Sequence, residues 1–135
     1  MTFSEKDEYV KYRVSSARQT YKAAKVLGDE GFWNSAVNRL YYSAFYAVNA
    51  LLVLHDIQSK SHSNTKSQFS LHFIKTGKFD KKFGQLFSEL FDWRQKGDYD
   101  NIFDYDEESV APLFEPVLEL IDLIDKEIQK KFGSE

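Results

Sequence analysis

Cysteine is absent from this 135-residue sequence, and proline, methionine and histidine are scarce at two, one and three copies. Without cysteine there is no disulfide and no thiolate metal site. His55, His62 and His72 show no metal-ligand spacing such as His-x3-His, so no metal is expected. No cofactor is expected either. Gly28, Gly31, Gly77, Gly84 and Gly97 are scattered as helix punctuation and form no phosphate-cradling loop. The longest apolar run, Ala50 to Leu54, falls far short of the ~20 residues that cross a bilayer. The opening Met-Thr-Phe-Ser-Glu-Lys-Asp-Glu lacks the basic and apolar regions of a signal peptide. A cytoplasmic protein with no membrane association is the expectation. Runs of alternating strand pattern are missing too.

What is present is an ordinary globular balance, 42% hydrophobic and 29% charged, with 12 Phe, 8 Tyr and 2 Trp to fill a core. The length suits one domain over residues 1–135, with its core at about 5–130. A net charge of −3 argues against a protein that coats nucleic acid, but the charge is unevenly placed. Lysines 60, 66, 75, 78, 81 and 82 are set against one acid, Asp80, and six acids with no base follow between Asp98 and Glu108. As solvated faces, these stretches need no partner. As a basic strip, the first would steer a phosphate-bearing one.

Periodicity is helical throughout. Ser4-x-x-Asp7 reads as a capping box opening a helix striped by Val10, Val14, Ala17, Tyr21 and Ala24 and ending at Gly28. A second helix runs from near Gly31 to His55-Asp56, with Trp33, Val37, Leu40, Ala44, Val48 and Leu51 inward. Residues 57–64 then read as a loop. A shorter third helix covers about Thr65 to Thr76 and closes at Gly77; a fourth covers about Asp80 to Lys96 and closes at Gly97. Past a loop to Tyr105, the last begins near Asp106-Glu107-Glu108, acids suited to a helix N-terminus. Val110, Phe114, Val117, Ile121, Ile124 and Ile128 form its stripe, and Pro116 should bend it. The expected fold is all-α, an antiparallel up-and-down bundle of about five helices.

Two helix faces carry the chemistry. Phe83, Phe87, Leu90 and Arg94 fall at i, i+4, i+7 and i+11, so a guanidinium closes an apolar, core-facing stripe. Such a charge is costly unless it is paired or used, and Asp98, four residues on, is within reach of it. On the second helix Arg39, Tyr42, Tyr46 and Asn49 share one face, which Tyr41 and Phe45 broaden. Arginine with tyrosine is the composition of an interface centre or a site wall; locally satisfied rings on a helix buried all round are the plainer reading.

Residues 36–47 (Ala-Val-Asn-Arg-Leu-Tyr-Tyr-Ser-Ala-Phe-Tyr-Ala), Ser61-His62, Phe73-Ile74-Lys75-Thr76-Gly77 and Arg94-Gln95-Lys96-Gly97-Asp98-Tyr99 resemble the HEPN domain family (higher eukaryotes and prokaryotes nucleotide-binding) over about residues 5–130. The resemblance implies an antiparallel helical homodimer, often paired with a minimal nucleotidyltransferase, whose nuclease members cleave RNA without metal in toxin–antitoxin and defence systems. In those members a histidine follows the arginine after four to six residues and shuttles a proton at the ribose 2′-hydroxyl while the arginine offsets phosphate charge. This chain has Arg94 but Tyr99, Asp100 and Asn101 where that histidine falls. A tyrosine, with an ordinary pKa near 10, is a poor proton shuttle beside a histidine near 6.5. The resemblance therefore implies first a nucleotide- or RNA-linked binding or regulatory module, with a cleft shaped by Arg94, Asp98 and Tyr99 and walled by Arg39, Tyr42 and Tyr46. In that reading Tyr99 is also a target for nucleotide transfer by the partner. The alternative is a metal-independent endoribonuclease with a composite dimer site around Arg94, served by His62 or Tyr99. A third reading leaves these polar residues as bundle stabilisers only.

Overall fold

Alanine on α2 (Trp33–Leu54) explains why this helix sits at the centre. Ala36, Ala44, Ala47 and Ala50 let neighbouring helices approach closely, while Val37, Leu40, Val48, Leu51, Leu52 and Leu54 fill the space between them. A helix apolar on most of its circumference must be covered on all sides. Four helices cover it: α1 (Phe3–Asp29), α3 (His62–Phe69), α4 (Lys81–Tyr99) and α6 (Phe114–Gly133). α3 continues into one π-helical turn, Ser70–Ile74. α5 (Glu107–Val110) leads through a 3₁₀ turn, Ala111–Leu113, into α6. This computed structural model describes the backbone of residues 3–99 and 104–133, and the side chains of 5–98 and 104–132. There is no strand among them, and the fold is an all-α bundle.

The α1–α2 hairpin turns on Gly31, whose φ of 83° is open to glycine without strain. α6 buries Val117, Ile121, Ile124 and Ile128 as its spacing predicts. It is tied to α1 by Arg18, which reaches Asp122 and Asp125 at 2.8 Å each, and by the Tyr21 hydroxyl donating to the Phe114 carbonyl at 3.0 Å.

Several boundaries differ from the sequence expectation. α1 starts at Phe3, ahead of the Ser4-x-x-Asp7 signature, and ends at Asp29. α3 starts at His62, not Thr65: the Ser61 hydroxyl accepts from the Asn64 amide at 3.0 Å and caps it. α4 runs through Gly97 to Tyr99. Gly97 serves packing there, because a Cβ would lie 3.1 Å from the Tyr105 ring. Pro116 costs α6 no hydrogen bond, since α6 begins at Phe114 and the amide of a helix's third residue has no partner within the helix. No described helix is long and apolar enough to cross a membrane.

Candidate functional site

Arg94 is carried inward by the stripe its spacing predicts, with Phe83, Phe87 and Leu90 buried beneath it. It is 8% exposed. Its guanidinium carbon lies 4.9 Å from the centre of the Tyr41 ring and 5.7 Å from that of Tyr42. One Nη donates to the Tyr42 hydroxyl at a long 3.4 Å, and Nε is buried with no hydrogen-bond partner. Among the described residues no carboxylate lies within ion-pair distance. Ring faces attract a cation, but they do not neutralise it.

The expected Arg94–Asp98 pair does not form. Although the helix persists far enough, Asp98 is exposed and accepts from the Asn38 side-chain amide at 2.9 Å. Asn38 in turn accepts from Arg39, at 2.9 Å from Nε and 2.7 Å from Nη2. Its amide thus bridges a cation and an anion of neighbouring helices. Arg39 also stands over the Tyr42 ring at 5.1 Å. The remainder of the α2 face belongs to α1: Arg13 lies over Tyr46 at 4.9 Å and donates to the Tyr9 hydroxyl, which donates to Asn49 at 2.9 Å. Tyr46 thus touches Tyr42 at 6.0 Å between ring centres but meets Arg13 of α1, one turn along α2 from the tyrosine that Arg94 contacts.

His62, the first residue of α3, joins the same cluster. Its Nδ1 is 2.8 Å from the Tyr41 hydroxyl, and its ring stacks on Phe45 at 4.5 Å and 11°. Burial, and next the positive charge of Arg94, hold the His62 pKa below its ordinary value. Burial raises that of Tyr41, with Arg94 opposing. Tyr41 is therefore the hub. Its ring lies under Arg94 and its hydroxyl fixes His62. The sequence reading gave it only a supporting place beside Arg39, Tyr42 and Tyr46, and Asn38 none. Tyr41 sits next to Tyr42 on the helix, so spacing alone does not reveal that it turns towards α3. The side chain of Tyr99, and Asp100 and Asn101 altogether, lie outside the described residues.

The other histidines stand elsewhere. His55 caps the far end of α2 with its ring edge on Phe73, and His72 is exposed and bonded to Gln68. No group of three His, Asp or Glu that would hold a metal occurs among the described residues.

The family model described as "HEPN domain" matches residues 10–128. The chain is 34% identical over 126 residues to a "UPF0332 protein" of Thermotoga maritima, covering 93% of this chain and 96% of that one. It is 37% identical over 87 residues to "Putative toxin MJ0142" of Methanocaldococcus jannaschii, covering 64% and 59%. It is also 26% identical over 123 residues to "Putative toxin MJ0605" of the same organism, covering 91% of each.

Proposed function

The chain belongs to the HEPN domain family, and from that premise we propose that it is a toxin-type module that takes the phosphate of RNA or of a nucleotide at Arg94. The observation that carries this reading is a nearly buried guanidinium with an unpartnered Nε and no carboxylate within ion-pair distance among the described residues. A buried unpaired charge is destabilising, and a bound phosphate relieves that cost with charge-assisted hydrogen bonds. The family pattern adds a homodimer, in which two such arginines meet in one cleft, and a minimal nucleotidyltransferase as protein partner, with Tyr99 as the residue it would modify.

A second reading, metal-independent cleavage of RNA, gains from one observation: His62 and Arg94 share Tyr41. In such a cleft His62 accepts the proton of a ribose 2′-hydroxyl as that oxygen attacks phosphorus. The bond to the 5′-oxygen breaks, the leaving oxygen takes a proton from solvent water, leaving a 2′,3′-cyclic phosphate and a 5′-hydroxyl, and Arg94 offsets the charge on the phosphate.

RNA binding and cleavage without added metal, measured for wild type, Arg94→Gln and His62→Ala, test both. Binding that falls in Arg94→Gln with no cleavage by wild type supports the first reading. Cleavage lost in both variants supports the second. RNA affinity and cleavage both unchanged in Arg94→Gln reject both.

A further inference from the structure

A groove of about 750 Å³ runs between α3 with its π turn and α4. Its floor includes Phe69 and Phe87, and Lys66, Lys75 and Lys81 stand along it. Of the six lysines between 60 and 82, two are neutralised by α6: Lys78 pairs with Glu127 at 2.8 Å and Lys82 with Glu119 at 3.1 Å. The three that line the groove have no carboxylate within ion-pair distance among the described residues. The acids of the groove, Glu89 and Asp92, both lie on the α4 wall at its Trp93 end, and the α3 wall carries none.

A chain of side-chain contacts links the groove to the arginine cluster. Lys66 Nζ lies 4.4 Å from the centre of the Phe91 ring, and Phe91 meets Tyr41 at 6.1 Å, under Arg94. From Lys66 to Lys75 the helical rise is roughly 14 Å, enough for a short stretch of extended backbone. We propose that this groove is the track along which a single-stranded RNA leaves the Arg94 site, its phosphates held by Lys66, Lys75 and Lys81. The track rests on the phosphate reading of Arg94. It adds the direction in which the strand runs, from Arg94 past Lys66 to the Lys75–Lys81 end.

The test compares the affinity of a fluorescent single-stranded RNA dodecamer, by anisotropy, for wild type, Arg94→Gln, the pair Lys75→Glu with Lys81→Glu, and the pair Lys126→Glu with Lys130→Glu. The last pair makes the same charge change at exposed sites on α6. Circular dichroism checks that each variant is folded. A loss of roughly tenfold or more in the groove pair, with the α6 pair near wild type, is expected. Equal losses in the two lysine pairs would show bulk electrostatics and overturn the track. A groove pair that binds like wild type while Arg94→Gln weakens would also overturn it and leave the Arg94 reading standing; that is also the result if the groove holds a protein segment. Affinity unchanged by Arg94→Gln alone would remove the reading on which the track rests, and no RNA binding by wild type would overturn both.

Discussion

Replacing Arg94 with methionine separates a functional arginine from a structural one. The variant loses the attraction to two tyrosine rings, about 0.5–2 kcal/mol, and is relieved of a buried unsatisfied donor worth about 1–3 kcal/mol. Stability in urea is therefore expected within about 1 kcal/mol of wild type, and a loss of about 3 kcal/mol or more would mark an arginine that holds the bundle together. His62 provides a second readout. Because Arg94 helps to hold its pKa down, the His62 ring is expected to titrate at higher pH in Arg94→Gln, as followed by proton NMR. An unmoved titration would mean that the two groups do not sense each other. Arg94 was legible in the sequence, since spacing alone sets it at the end of an apolar stripe. Its partner was not, because Asp98 is taken by Asn38, 60 residues earlier in the chain.

At the level of elements, the helix that presents His62 depends on its cap. Ser61→Ala removes the acceptor for the Asn64 amide and is expected to cost about 1 kcal/mol, while Ser61→Asp, also a good cap, should retain most of that stability. Equal losses in both would show that the cap contributes nothing. The four long helices were legible from their buried stripes, which are set by a strong 3.6-residue period. Their ends were less so. Gly97 reads as a stop by residue type, yet the ring of Tyr105, stacked on Trp93 at 4.9 Å, occupies the space where a side chain would be, so glycine suits the packing while the helix continues. Pro116 reads as a kink only if the helix is taken to begin eight residues too early, at Asp106. That residue caps α5, and the 3₁₀ turn between α5 and α6 resets the hydrogen-bond pattern.

For the whole molecule, acid is expected to destabilise in two stages. His55 and His62 are held below their ordinary pKa, chiefly by burial, so the unfolded chain binds more protons as the pH falls below about 6.5. Glu127 is held low by the hydrogen bond from Lys78, and its contribution, present above the ordinary carboxylate range, is lost as the pH falls through its folded value. Urea midpoints measured from pH 7.5 downwards should fall first in the histidine range and again in the carboxylate range. A flat profile to pH 5 would contradict the histidine assignment. The cleft proposed above requires two chains. Sedimentation equilibrium should return twice the 15.8 kDa chain mass, and a monomer at working concentrations would sink the shared site. The bundle class was readable from composition and period. The Arg94–Tyr41–His62 grouping joins α2, α3 and α4 across long sequence distances, which no local pattern encodes.

The single π turn at Ser70–Ile74 has a consequence for phase. Over the nine residues from Lys66 to Lys75 an uninterrupted α-helix turns about 900°, which leaves the two lysines on opposite sides of the helix. One residue of extra winding removes roughly 100° and swings Lys75 round towards the side that Lys66 already occupies. The lysines thus come to line the same wall through an irregularity of pitch, with no change of sequence spacing. Deleting Leu71, an exposed residue within that turn, would leave eight residue steps of regular α-helix between the lysines, again about 800°, so Lys75 is expected to keep its side while the π turn disappears.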